Sequence, residues 1–422
     1  MYALYSFLLF FILLFLIPFY FFRRTLLRGE SLYLRKRLGY GLPKERSQKQ
    51  SIWIHAVSVG EVLSLQNLVR KLKEKHPTWE ISFSSLTKTG LQMAKEKLRE
   101  ADNIFFIPLD FASVVRKFFN IFNPKVFILT ESEFWPNLLK VAKKQNRAVL
   151  LINGRVSERS FQRYRRFKFL DKKILKNIDL FLVQTEQDKE RLEEIGIDSF
   201  RVDVAGNLKA EVELPAFTDK EISSLKWNLN IQEEKKVIVA GSTCKGEEEQ
   251  LLEAFSKAKE LNKNLLFILA PRHTQRFKEV ERICQKFPFR VRKRTKVSSK
   301  DEWEILILDT MGELAHFYAL SDIAFVGGSL IPWGGHNILE PAFYEKPVFF
   351  GPYMNNFAYL AEKFVQLGAA RITHKDEDLV EMFLIKDEKT LSEMGKRAKE
   401  TLDLLQGATD KTIEAIEAMM AK

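Results

Sequence analysis

The chain has 422 residues, which is too long for one ordinary hydrophobic core and makes two α/β domains the natural expectation. Its 46% hydrophobic content excludes a largely disordered basic protein, while the formal net charge of +12 favours acidic partners: nucleic acid, an anionic membrane face or acidic substrates. Two cysteines, Cys244 and Cys284, form no disulfide framework or metal pattern, and the six histidines show no ligand spacing.

The first 22 residues carry no charge, and Arg23 and Arg24 follow at once. As a helix this stretch would reach ~33 Å, about one hydrocarbon core. With no basic residue before it and no small-residue cleavage site after it, residues 1–22 read as a transmembrane or interfacial anchor rather than a signal peptide. The cations that follow place its C-terminal side in the cytoplasm. A basic linker occupies 23–50.

From 51 to 205 strand and helix signals alternate, the pattern of a mostly parallel, doubly wound sheet. Expected strands are 52–57, 80–85, 104–108, 126–130, 148–152 and 180–184. Ligands of such sheets bind at the carboxyl ends of the strands. Three polar clusters fall there: Ser58 to Glu61, Thr130 to Pro136, and Asn153 to Ser157. Singly, Ser58 and Thr130 suit N-caps, and Glu61 and Glu133 suit first-turn acids that complement a helix dipole. Glutamates at two strand ends of one sheet edge point instead to an active site, with a glutamate as general base; spacing does not say which one. The stretch 157–176 holds eight Lys and Arg interleaved with aromatics, and reads either as a solvated charged face or as a basic helix on anionic lipid.

Residues 206–235 read as an interdomain linker with a helix, and 236–386 as a second α/β domain. Four loops reach one edge of it: Gly241 to Gly246, Pro271 to His273, Asp309 to Glu313, and the glycine-rich Gly327 to Pro341. The last carries Gly327, Gly328, Gly334 and Gly335 and is expected to open a helix from Asn337, offering backbone amides to an anion. Glu340, three residues after Asn337, suits ribose hydroxyls better than phosphate. The set fits a nucleotide with one phosphate or a pyrophosphate. A P-loop is excluded, since no GxxxxGK followed by Ser or Thr occurs, and no GxGxxG supports a dinucleotide dehydrogenase. Residues 387–422 read as two helices packing back toward the N-terminal domain.

Six strings resemble the 3-deoxy-D-manno-octulosonic acid (Kdo) transferases: His55-Ala-Val-Ser-Val-Gly-Glu61, Thr130-Glu-Ser-Glu-Phe-Trp-Pro-Asn137, Asn153-Gly-Arg155, Pro271-Arg-His273, Met311-Gly-Glu313, and Gly327-Gly-Ser329 with Gly335-His-Asn-Ile-Leu-Glu-Pro341. The resemblance implies a GT-B fold, two doubly wound Rossmann-like α/β domains facing a cleft, with an N-terminal membrane-anchor helix. It implies an inverting transfer of Kdo from CMP-Kdo to the 6-hydroxyl of a lipid A precursor, lipid IVA, at the cytoplasmic face of the inner membrane, with release of CMP. Carried over, Glu61 is the general base, and Glu131 and Lys209 stabilise the transition state. Pro271, Arg272, Met311, Gly312, Glu313, Asn337, Ile338, Leu339 and Glu340 bind CMP. No cofactor or metal is expected, nor a nucleic-acid partner; anionic inner-membrane lipids are, and the oligomeric state stays open. Two positions depart from the family: Cys244 and Tyr353 stand where it usually has histidine. The alternatives are a GT-B enzyme using a UDP- or GDP-sugar, and an inactive lipid-binding scaffold.

Overall fold

The structure is a computed structural model and describes residues 2–20, 33–43, 45–132, 134–166, 173–211 and 214–421. The last two residues of the expected anchor (21–22), 23–32 and Lys44 of the basic linker, Glu133 and the 167–172 part of the basic stretch lie outside the described residues. The chain divides into two compact units, one formed by 1–211 with 405–422 and the other by 212–404.

The first unit is built on seven strands: β1 (Ser51–Ala56), β2 (Glu80–Ser85), β3 (Asn103–Phe106), β4 (Val126–Thr130), β5 (Ala148–Gly154), β6 (Leu180–Val183) and β7 (Val202–Val204). They pair in the order β3-β2-β1-β4-β5-β6-β7, every pair parallel. Central strands of such a sheet are covered on both faces, so β1 and β4 are buried throughout rather than alternating. Trp53 on β1 is wholly buried on one face among Phe105, Phe119 and Phe127, and its indole N–H donates to Ser84 Oγ at 2.8 Å. On the other face, Ile52 and Ile54 pack with Ile413, Ile416 and Met420 of the final helix, Ala408–Ala421. That helix therefore belongs to the first unit's core, whereas the preceding one, Glu388–Leu405, belongs almost wholly to the second unit.

The second unit repeats the plan with β8 (Lys236–Thr243), β9 (Leu265–Pro271), β10 (Val291–Lys293), β11 (Ile305–Ile307), β12 (Ile323–Val326), β13 (Val348–Phe350) and β14 (Ala370–Ile372). Their order is β10-β11-β9-β8-β12-β13-β14, again all parallel. In each sheet the connections reverse direction at one place, between β1 and β4 in the first and between β8 and β12 in the second. At such a switch point the flanking loops diverge and leave a crevice at the carboxyl ends of the strands.

Tyr2–Tyr20 forms one helix, α1. Its first turn is tied to the first unit: Asn137 Nδ2 donates to Ser6 Oγ at 3.0 Å, Asn177 Nδ2 donates to Tyr2 Oη at 3.0 Å, and Lys140 lies over the Tyr2 ring. Beyond that turn Phe7, Phe10, Ile12 and Phe15 are exposed. Among the described residues no helix is long and apolar enough to cross a membrane.

Candidate active site

The first unit's switch point brings together the loops after β1 and β4. Ser58 is the N-cap of helix Val59–Ser64; its hydroxyl accepts from Glu61 N at 3.2 Å, and Glu61 Oε1 in return accepts from Ser58 N at 3.1 Å. This reciprocal cap satisfies two amides that the helix start would leave orphaned. Glu61 Oε2 accepts from Val57 N at 2.9 Å and faces Thr130 Oγ1 at 2.9 Å. The threonine hydroxyl also lies 2.7 Å from the His55 carbonyl, and its single proton serves one acceptor at a time. Glu61 is 6% exposed and keeps acceptor capacity on Oε1. Thr130 is therefore no N-cap; it reaches back across the sheet edge to the glutamate.

Directly after Thr130, Glu131 adopts φ +58°, a left-handed conformation unusual for a residue with a side chain. Asn153, at the end of neighbouring β5, does the same at φ +52°. Glu131 N is held by the Ile152 carbonyl at 3.0 Å, and Glu131 Oε1 takes a 2.9 Å ion pair from Lys209 Nζ. The lysine is placed by two asparagines: Asn153 Oδ1 accepts from Leu208 N at 3.1 Å, and Asn207 Oδ1 accepts from Lys209 N at 2.9 Å. Glu61, Glu131 and Lys209 are thus joined through Thr130 at one strand edge. Two left-handed backbones on adjacent strand ends, one bonded to Lys209 and the other to Leu208 before it, suit a site better than a plain turn.

Asp110 supports this edge from beneath. Its carboxylate accepts from Asn137 N at 3.0 Å and Leu138 N at 2.8 Å, capping helix Pro136–Lys144, and it bonds the Tyr5 hydroxyl. Burial pushes its pKa up to about 6, against those donors. The loop that carries Glu131 is therefore pinned at its far end to the first turn of α1.

The second unit's switch point joins the loops after β8 and β12. The expected Gly-Ser-Thr turn is part of the strand: β8 continues to Thr243 with Ser242 at φ +57°, and the turn proper is Cys244 to Gly246. Cys244 Sγ lies 3.5 Å from His336 Nε2. Burial pushes the thiol up to about 11 and the imidazole down to about 4, the latter helped by Arg272 and His273, so this is a contact between neutral groups. Arg272, just past the end of β9, is exposed, and its field reaches His336 and Glu340. Glu340 is raised by burial and drawn down by Arg272 and by a hydrogen bond from Asn337. Arg272, Asn337 and Glu340 therefore form one cluster at the crevice.

Other expected residues are placed differently. Pro271 is buried, and Ile338 and Leu339 are fully buried, so these three offer backbone only. The helix expected from Asn337 begins at Leu339 and lasts one turn, Leu339–Phe343. Met311, Gly312 and Glu313 follow β11, which stands one strand further out than β9. Met311 is 65% exposed and Gly312 turns at φ +85°, while the Glu313 carboxylate is occupied by Arg294 at 2.9 Å and by the Thr310 hydroxyl.

The glycine loop itself requires a correction. Its first amides are not open to a ligand phosphate. Glu247, fully buried at the start of helix Glu247–Leu261, accepts from Gly328 N at 2.6 Å, Ser329 N at 2.9 Å, Leu330 N at 2.9 Å and Cys244 N at 2.8 Å. In the sequence this residue is only the first acid of the run Glu247-Glu-Glu249, and nothing local signals a partner some eighty residues away. Among the described residues no group of three or more His, Cys, Asp or Glu side chains is arranged to hold a metal ion.

Two Rossmann-like sheets, each with polar groups at its switch point, define the GT-B class of architecture. MurG of Acinetobacter baumannii shares it, with a TM-score of 0.56 and 13% identity over 88% of this chain and 99% of that one; at that identity the likeness speaks for the fold alone. A family model described as 3-deoxy-D-manno-octulosonic-acid transferase (kdotransferase) matches residues 33–212. The 3-deoxy-D-manno-octulosonic acid transferase of Haemophilus influenzae is 30% identical over 395 residues, 92% of each chain. A bifunctional glycosyltransferase/methyltransferase of Fusobacterium nucleatum is 36% identical over 342 residues, which are 79% of this chain and 52% of that protein, so the chain spans about half the length of that relative. The chain belongs to the Kdo transferase family of glycosyltransferases.

Proposed function

We propose that the protein transfers Kdo from CMP-Kdo to a glucosamine 6-hydroxyl of a lipid A precursor, lipid IVA, with inversion and release of CMP. The observation that carries this reading is the linked set Glu61, Thr130, Glu131 and Lys209 at the first switch point, in a member of this family. The acceptor oxygen attacks the anomeric carbon of Kdo while the bond from that carbon to the phosphate oxygen breaks. Glu61 takes the hydroxyl proton, and swinging the Thr130 proton to the His55 carbonyl frees acceptor capacity on Oε2 at that moment. Lys209, steadied by Glu131, faces negative charge as it develops. In the second unit Arg272 meets the phosphate, and Glu340, oriented by Asn337, takes ribose hydroxyls. The displacement needs a base for the acceptor hydroxyl and charge stabilisation for the departing CMP phosphate, which these side chains supply without a metal in our scheme.

In this proposal the enzyme works at the cytoplasmic face of the inner membrane. The exposed apolar side chains of α1 lie in the membrane interface, and the exposed Arg163, Arg165 and Arg166 of helix Glu158–Arg166 meet anionic headgroups or acceptor phosphates. Phe161 and Tyr164 of the same helix are buried, which fixes its basic face outward.

The test is incubation of the purified protein with CMP-Kdo and tetra-acylated lipid A precursor, followed by mass spectrometry. We expect a product heavier by one or more Kdo residues and stoichiometric CMP. A product formed only from UDP- or GDP-sugars would contradict the proposal, as would no transfer from any donor.

A further inference from the structure

A run of successive backbone N–H groups turned inward at the carboxyl end of a strand is a receptor for an anion. Gly328, Ser329 and Leu330 form such a run after β12, and the protein fills it with its own anion, the carboxylate of Glu247. Four N–H donors converge on that carboxylate, counting Cys244, and it is wholly shielded from water. Burial raises its pKa while the four amides pull it back toward the ionised form.

The fit is tight enough to be purposeful. Gly327 packs so closely that a side-chain carbon there would stand 2.7 Å from the Ser242 carbonyl oxygen, and one on Gly351 would stand 2.3 Å from that of Ser329. The Ser329 hydroxyl bonds both the Val326 carbonyl and Gly351 N, locking the turn to β12 and to the end of β13. The crevice therefore carries a fixed negative charge where its amides would otherwise welcome a phosphate. Of the two arginines after β9, Arg276 is committed to Glu248 at 2.7 Å and to Glu279 at 3.2 Å. Arg272 remains, and the fields of both Arg272 and Glu247 reach Cys244.

We propose that Glu247 is a specificity-determining residue: by occupying the amide nest it leaves the charge of Arg272 for one phosphate, so that nucleoside monophosphate donors are accepted and nucleoside diphosphate donors are turned away. The inference rests on the reading of this edge as the CMP-Kdo site. A donor phosphodiester carries one negative charge, which Arg272 matches. A second phosphate has no free nest to enter and meets the buried carboxylate, and like charges brought together in a desolvated site are strongly disfavoured.

The probes are CMP and CDP, which share base and ribose and differ by one phosphate. Titration calorimetry on the full chain should show CDP binding at least ~10-fold more weakly than CMP. In Glu247→Gln, which keeps the shape and removes the charge, that ratio should shrink several-fold or invert; Glu247→Ala should do the same if it folds, as judged by its melting curve. A merely structural role would weaken both ligands alike and leave the ratio unchanged. CDP binding to the wild type as tightly as CMP overturns the selectivity and leaves the CMP-Kdo reading intact. So does an unchanged ratio in a folded variant. Wild type that binds neither nucleotide contradicts the CMP-Kdo reading itself, and the selectivity falls with it.

Discussion

Glu61 and Glu247 occupy equivalent positions in the two units, each at the first turn of the helix after its sheet's first strand, and the structure uses them in opposite ways. Glu61 takes amides from its own cap, Val57 and Ser58, and shares a threonine proton with a carbonyl. Its backbone bonds are local and its one distant bond, from Thr130, is exchangeable, so the carboxylate can accept another proton without dismantling the fold. Glu247 takes three amides from a loop about eighty residues on, with no hydroxyl to yield. A carboxylate whose backbone donors are all local, and whose one distant bond is an exchangeable hydroxyl, is free to do chemistry; one that ties two strand ends together through backbone amides is committed to holding them. Residue type is the same and both stand in a first helical turn, Glu61 as its third residue and Glu247 as its first, and the difference lies in which backbone donates.

The contrast is broken most sharply by Glu61→Gln. Removing the basicity while keeping the shape should lower turnover by ~100- to ~10,000-fold, with CMP affinity nearly unchanged. Steady-state turnover within a few-fold of wild type would remove Glu61 as base.

Glu247→Ala should act on stability instead. It orphans four buried N–H groups, and even with water entering the gap we expect a loss of about 2–4 kcal/mol in denaturant unfolding. An equal loss for Glu61→Ala would erase the distinction between the two glutamates.

The acid limb of stability sharpens the first site. His55 is fully buried beside it, with Nδ1 3.0 Å from the Ser84 carbonyl, and burial holds its pKa down at about 4, against an ordinary 6.5. Between pH 6.5 and about 4 the unfolded chain binds a proton that the folded chain refuses. Stability should therefore be intact above pH 7 and fall by up to ~3 kcal/mol as the pH drops through that window. His55→Gln should remove the His55 share of this limb in urea titrations at several pH values, leaving that of His336, which is held down to about 4 as well.

Arg272→Ala should have a narrower effect, weakening CMP by ~10- to ~100-fold through loss of one charge-assisted contact, with folding unaltered. An unchanged calorimetric affinity would take Arg272 out of the site.

Much of this was legible in the sequence because long parallel strands buried on both faces read as apolar runs. Of the strands expected in the first unit, β2 and β4 match their spans, and β1, β3, β5 and β6 differ by a few residues at the ends. β7, β10 and β14 were missed: each is three residues long, too short to show a pattern, and takes its strand state from a neighbour. The polar strand ends that matter were visible as residue types, including Asn153, whereas Gly206 to Lys209 read only as the start of the linker. What no local pattern could reveal is tertiary: the left-handed backbone of Glu131, the Arg294 that occupies Glu313, and the capture of the glycine loop by Glu247. The loop's amides looked available because the anion that fills them comes from a distant stretch of chain.

The central claim is a division of labour, with nucleotide held at the second unit's switch point and proton transfer carried out at the first. Amide hydrogen exchange of the full chain with and without CMP tests it most directly. CMP should slow exchange in the segments around 243–246, 271–273 and 335–340, while 57–61 and 130–131 change little. Protection confined to 57–61 and 130–131, with the second unit's loops unaltered, would contradict the account.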